Sequence, residues 1–386
     1  MLLSVVLELL PLESKTASGT SGRDTQAWFI KTIAEFDAQM GDVIHPQAEK
    51  VRETSQQQKR PYTTSGLMLS SGPDSSHEKA KTARKNRPTW KPVYTGYAFS
   101  ESQPVYVRLS SLSAELSALL QSQIVHSLQG RVITLLETTF TIHAVHTTSE
   151  DHAWAGTSDY TQLVRQNQGP VGKQIDLEFA SPTTFRSNQD DIPLPLPEHI
   201  LRSWWLHWNA FSPPEFKIDM DWPRFAADCV RVTSLRNLST THWLFANGKR
   251  GGATGYYGQV ALAVRPPRLD SSWAEHALGA EQVLHTLAAY SLYCGTGRQT
   301  TMGMGQARKW PCWSSESSSR KPKRRAWARN WRSPQPSSGK CAKPWTKAEP
   351  IPPRAKSLWS NAMTRSPSST TRFQNAGSAS LAWRPT

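Results

Sequence analysis

Twice along this 386-residue chain the pattern runs strand, helix, strand, strand, helix, strand. Residues 2–14 read as a strand closed by the turn GTSGRD. From Thr25 the run QAWFIKTIAEFDAQM sets Trp28, Ile33 and Phe36 at helical spacing, with Phe29 and Met40 nearby, and this helix ends near Gly41. YTTSGLML and PVYVRLSSL are strands, SAELSALLQSQIV a helix and VITLLETTFTIHAV a strand. The order then recurs. IDLEFASPTTF is a strand, and PEHILRSWWLHWNAF a helix opened by Pro197. DCVRVTSLRNL and YYGQVALAV are strands flanking KRGGATG. AEHALGAEQVLHTLAAYSLYC is a long helix and TTMGMGQAR the last strand.

The two units, roughly 20–150 and 170–310, share the order of their elements and little residue identity. That order, β-α-β-β-α-β, is the ferredoxin-like one. The sequence therefore predicts an α+β chain of two tandem ferredoxin-like (RRM-like) domains, residues 1–150 and 151–310. A Ser/Lys/Pro-rich stretch without periodicity, about 70–91, reads as an exposed insertion in the first domain.

Residues 311–386 break the pattern. They hold 15 Lys/Arg against two acids (Glu316 and Glu349), a net of +13 out of +15 for the whole chain. They also hold 15 Ser, 10 Pro and six Trp but only four Ile/Leu/Val/Phe, too few to offset ordering entropy, so disorder is expected. An out-of-frame reading of a G+C-rich gene would look the same, and neither version forms a third domain. With 30 basic and 28 acidic side chains the first 310 residues are nearly neutral, so any nucleic-acid contact there must be a local stripe.

Other classes are excluded. No run approaches 18 consecutive apolar residues, the length of a membrane-spanning helix. The opening MLLSVVLELLPLE has no basic start, is interrupted by Glu8 and lacks a cleavage site, so it is expected to be a strand rather than a signal peptide. Four dispersed cysteines without a CxxC pair point to neither a zinc site nor a disulfide framework. A cytoplasmic protein without a metal or small-molecule cofactor and without a membrane partner is expected.

The most specific segment is GTGRQTTMGMG, Gly295 to Gly305, between a helix and a strand. Its glycines let the backbone turn sharply and offer N–H groups to a phosphate, with Arg298 as a charged partner. A glycine-rich helix C-cap with close backbone packing is the alternative. The segment follows a helix instead of opening one, so it is no dinucleotide fingerprint, and it lacks the GK[ST] of a Walker loop.

This segment resembles the C-terminal loop GxGxxTxxGxG of the CRISPR-associated endoribonucleases of the RAMP superfamily, which cut precursor CRISPR RNA within its repeats. Gly295, Gly297, Thr300, Gly303 and Gly305 carry the match. IHPQAEK…KRPYTTSGL resembles the family's histidine segment and the strand after it. HAWAGTSDYTQL, LEFASPTTFR and LPLPEHILRSWWLHWNAF resemble its central segments, in the same order. The resemblance covers most of residues 1–308 and leaves the tail out.

The resemblance implies metal-independent cleavage, in which the RNA's own 2′-hydroxyl attacks the adjacent phosphate to leave a 2′,3′-cyclic phosphate and a 5′-hydroxyl. Such chemistry needs a base, an acid and a cation for the developing charge. The match places His45, just after the first helix, at the family's catalytic histidine, with Lys50 or Lys59 as the cation. Where some members carry a tyrosine on the preceding helix, Trp28 and Phe29 stand here. A solvent-exposed helix-end histidine is the plainer reading of His45.

His152, in a loop between the halves, is the competing catalytic candidate, with a loop-packing hydrogen bond as its plainer reading. His143 and His146, on a strand end, are weaker candidates. Lys50, Arg52, Lys59 and Arg60 form a basic segment around Tyr62 suited to RNA phosphates, although solvated charge accounts for most such runs. Lys249 and Arg250 form a hairpin tip that either enters an RNA groove or only turns the chain. Trp204, Trp205 and Trp208 read as a core and inter-domain seam in preference to base stacking.

Two functions remain open. One is an endoribonuclease that retains its product. The other is a non-catalytic guide-RNA-binding subunit. In either case the expected partners are repeat RNA, precursor and mature, and the subunits of a CRISPR effector complex.

Overall fold

Leu2–Pro11 (β1) is apolar on both faces, and the computed structural model shows why: the strand is central in its sheet and covered on both sides. The structure describes residues 1–17, 19–44, 59–70, 90–92, 97–187, 190–244, 251–265, 273 and 279–310. They belong to one unit of the chain, Met1–Gly339. His45, Lys50, Arg52, Lys249, Arg250, nearly all of the 70–91 insertion and the whole tail lie outside them.

Val5, Leu7 and Leu9 of β1 pack on Phe29 and Ile33 of α1 (Gly22–Phe36) in the first core. A shorter helix, α2 (Ala38–Ile44), follows after Asp37, whose carboxylate accepts the Met40 N–H at 2.9 Å. Tyr62–Thr64 (β2) and Met68–Ser70 (β3) both pair with Val105–Ser111 (β4). The expected second helix is Ala114–Leu119 and Val125–Leu128 joined by a π-helical turn, Leu120–Ile124; together these are α3. Ser113 caps it by accepting the Leu116 N–H at 3.2 Å.

The stretch VITLLETTFTIHAV, expected as one strand, is a hairpin of Val132–Leu135 (β5) and Thr138–His146 (β6). Leu136 and Glu137 turn it at φ 50° and 56°. Neither residue signals a turn. Tertiary contacts hold it instead: the Asp24 carboxylate accepts the Leu136 N–H at 3.0 Å, and Lys15 Nζ donates to the Glu137 carbonyl at 2.6 Å. After a short strand on β1, Gly156–Ser158 (β7), comes a helix that the sequence reading missed, Tyr160–Gln166 (α4), capped by Asp159.

The second half repeats the plan with Gln174–Thr183 (β8), Pro197–Phe211 (α5), Val230–Leu244 (β9), Gly252–Val264 (β10), Ala280–Cys294 (α7) and Ala307–Trp310 (β11). Trp222–Cys229 (α6), capped by Asp221, is a second missed helix. β9 and β10 are longer than expected, and the glycines of GGATG continue into β10. Two irregularities, between Val232 and Ser234 and between Arg236 and Ser239, break the β9 pairing, which is why its alternation is hard to read. α7 begins after the left-handed Gly279 (φ 89°), later than expected. TTMGMGQAR is mostly loop: Thr300–Met302 is a 3₁₀ turn, and only Ala307–Trp310 forms a strand, paired with β8.

Taking each half's four main strands in chain order, both sheets run second, third, first, fourth: β3-β4-β1-β6 and β9-β10-β8-β11, all antiparallel. This is the ferredoxin-like order, made twice. Trp204 and Trp208 of α5 are fully buried, and the Trp208 ring lies 5.2 Å from Tyr290 of α7. Among the described residues no helix is long and apolar enough to cross a membrane.

Trp154, on the loop after β6, fills the seam between the halves. It packs on Val6 and Met68 from the first sheet and on Ala180 of β8 from the second. Buried Arg108 of β4 crosses beneath it. Its guanidinium donates to Gln306 Oε1 (2.7 Å), Thr63 Oγ1 (3.1 Å) and the Leu292 carbonyl. Burial lowers its pKa to about 9, which leaves it charged at neutral pH.

Candidate functional site

The C-terminal end of α2 leaves carbonyl groups without helical partners. That of Ile44, directly before His45, accepts a 2.9 Å hydrogen bond from Arg60 Nη1. The same nitrogen donates to the Tyr62 hydroxyl at 3.4 Å, and Gln26 Nε2 of α1 donates to that hydroxyl at 3.0 Å. Tyr62 is buried against Phe29, ring centres 5.4 Å apart, and burial raises its pKa. α1, the end of α2 and the start of β2 are thus tied together by one buried hydroxyl and one guanidinium.

Lys59 precedes this knot. Desolvation, then the Arg202 guanidinium on α5, lower its pKa. His207, one turn further along α5, is buried, with Nδ1 2.8 Å from the Ser203 carbonyl. Its pKa is pushed down to about 4, chiefly by burial and further by Lys59. Lys59 from the first half is therefore within electrostatic reach of Arg202 and His207 from the second. The sequence reading missed both. The Trp204/Trp208 spacing marks the buried face of α5, but nothing local connects it with Lys59.

α5 leads from there to the glycine-rich loop. Ser203 Oγ accepts the Gly297 N–H at 2.8 Å, and Trp204 Nε1 donates to Thr296 Oγ1 at 2.8 Å. Gly295, Gly297, Gly303 and Gly305 all have positive φ. Gly303 (φ 92°) forms a bridge with Ser65 just after β2, and a Cβ on it would lie 2.8 Å from the Gly66 nitrogen. The loop also meets α1, where a Cβ on Gly22 would lie 2.0 Å from the Met302 carbonyl oxygen.

Much of the loop's backbone hydrogen bonding is spent within the protein, mostly on neighbouring elements. The N–H groups of Thr296, Arg298, Gly303 and Gly305 donate to the carbonyls of Gly305, Thr184, Thr64 and Pro182. Thr300 is buried, with its methyl group against Gly295 and Gly305. The Arg298 guanidinium pairs with Asp191. The loop welds the second half to β2 and α1, the elements that carry the Arg60–Tyr62 knot.

His152 lies elsewhere, on the loop after β6. It is buried between Tyr106 and His146, with ring centres 5.4 and 5.8 Å away. Its Nδ1 accepts the Trp154 N–H at 3.2 Å. Burial, His146 and Arg308 lower its pKa to about 4. His146 Nε2 lies 3.3 Å from Glu8 Oε2. Arg308 pairs with Glu178 at 2.7 Å and lies 4.6 and 4.7 Å from the ring centres of Trp154 and Trp310. The structure therefore ties Arg60 and the glycine-rich loop to the same elements, α1 and β2, and packs His152 among Tyr106, His146 and Trp154 instead. Among the described residues no group of three or more His, Cys, Asp or Glu is placed to hold a metal.

Two ferredoxin-like sheets in tandem, welded through a glycine-rich loop between the last helix and the last strand, are the architecture that the resemblance of the loop implied. The family model described as the CRISPR Cas6 N-terminal domain matches residues 1–165, and that described as CRISPR-associated endoribonuclease Cas6 matches residues 177–307. The chain belongs to the Cas6 family of CRISPR-associated endoribonucleases.

Among solved structures, a product complex of the Thermus thermophilus Cas6 protein TTHB231 is similar, with a TM-score of 0.57 and 20% identity over 80% of this chain and 100% of that one. A product complex of the Cas6 protein TTHA0078 gives 0.52 and 22%, over 80% and 99%. At such identities the likeness is one of fold. No curated protein matches the sequence.

Proposed function

We propose that this endoribonuclease cuts CRISPR repeat RNA by attack of the RNA's own 2′-hydroxyl, without a metal ion, and keeps its product bound. The observation that carries the reading is the hydrogen bond from Arg60, the residue after Lys59, to the Ile44 carbonyl at the end of α2, at the position that His45 follows. The product and substrate-mimic complexes among the Cas6 structures support the RNA as ligand.

In this mechanism His45 takes the proton from the 2′-hydroxyl, since an imidazole titrates near neutrality. The 2′-oxygen bonds to phosphorus, the bond to the 5′-oxygen breaks, and a 2′,3′-cyclic phosphate and a 5′-hydroxyl result. Lys59 faces the phosphorane charge, and its lowered pKa suits it to protonate the departing 5′-oxygen. Lys50 is the other cation of the same segment. Arg52, Lys249 and Arg250 are assigned to RNA phosphates. The glycine-rich loop is assigned to the RNA as a rigid surface, because its N–H groups bonded to Thr184, Thr64 and Pro182 leave it little freedom to wrap a phosphate. His152, already an acceptor for Trp154 and held neutral, is assigned to packing.

Repeat RNA incubated with the protein in EDTA should be cut once, leaving a cyclic phosphate end. His45→Ala should slow the cut by about 10²–10⁴-fold, with affinity within a few-fold. Activity that vanishes in EDTA and returns with magnesium contradicts the mechanism, and tight binding without any cut points to a guide-RNA-holding subunit.

A further inference from the structure

We propose that Arg60 is a positioning residue of the cleavage site and not one of its RNA contacts: it holds the end of α2 at a fixed place beside the segment that carries Lys59. The inference rests on reading His45 and Lys59 as the reacting groups. Ile44, the last residue of α2, is fully buried in the first core, so its side chain anchors the helix while its carbonyl points out for a donor.

Arg60 Nη1 supplies that donor at 2.9 Å, and a cation suits a helix C-terminus. The guanidinium is itself held by the Tyr62 hydroxyl, which Gln26 fixes from α1. Gln26 and Tyr62 are both buried, so the anchor does not move with solvent. Lys59 is covalently next to this anchor, and His45 is next to the anchored carbonyl. One guanidinium thus ties Ile44, the residue before His45, to the segment that follows Lys59. Small displacements of such groups lower rates about 10²-fold without touching affinity.

The test compares Arg60→Gln and Arg60→Lys with the unaltered protein. The readouts are single-turnover cleavage at saturating enzyme, Kd for a repeat RNA with a 2′-deoxy scissile nucleotide, and Tm. R60Q should cut about 10–100-fold more slowly, with Kd within 3-fold and Tm within a few degrees. R60K, which restores a cation in reach of the carbonyl, should recover part of the rate. Added to His45→Ala, R60Q should cost nothing further, because it acts through the group already removed.

A Kd that rises as much as the rate falls overturns the proposal and puts Arg60 on the RNA. A lowered Tm with the rate unchanged makes Arg60 only a helix cap and also overturns it, as does a full additional loss in the His45→Ala background. The reading beneath it fails separately: His45→Ala would then cut at the unaltered rate.

Discussion

Buried neutral histidines connect single residues to the stability of the whole fold. His152 and His207 are held near pKa 4 mainly by burial, whereas an unhindered imidazole titrates near 6.5. Between those values the unfolded chain binds protons on both rings and the folded chain does not. Stability should therefore fall as pH drops from about 6.5 to about 4, and these groups contribute no further change below that. Thermal melting at steps across the window checks this. Gln at both positions should flatten the slope, and a Tm that holds steady from pH 7 to 4.5 contradicts the burial argument. The sequence left His152 open between catalysis and packing, because burial depends on Tyr106 and His146 arriving from other elements. Arg298 was likewise legible as a charge but not as the partner of Asp191.

Among the elements, the β5–β6 turn carries the plainest backbone strain. Glu137 is exposed and left-handed (φ 56°), a conformation costing a residue with a Cβ about 1 kcal/mol or more. The Lys15 contact uses only its carbonyl, so Glu137→Gly keeps that bond and should raise stability by about 1 kcal/mol. Melting should show a rise of a few degrees, and a fall would mean that the Glu137 side chain matters. The same turn shows why VITLLETTFTIHAV looked like one strand. Its period-two pattern runs on through Leu136–Glu137, and Asp24, which stabilises the bend, is remote in sequence. The helices α4 and α6 were missed because each is short, although their caps Asp159 and Asp221 were visible signals. Long apolar elements such as β1, α5 and α7 were legible because burial repeats along them.

Across the whole molecule, the duplicated order of elements was the most legible feature, and both sheets carry the strand order it implies. What the sequence could not show is how the halves are joined. Arg108, Gln306 and Thr63, the Ser65–Gly303 bridge and Trp154 act between residues distant in the chain, with no local pattern. That joint brings Lys59 within electrostatic reach of Arg202 and sets the glycine-rich loop against α1 and β2. The most direct test of the central claim replaces the 2′-hydroxyl at the scissile nucleotide of the repeat RNA by hydrogen and measures cleavage and affinity together. Binding should stay within a few-fold while cleavage is abolished, because the nucleophile is gone. Cleavage of the 2′-deoxy RNA at the same position would contradict attack by the RNA's own hydroxyl.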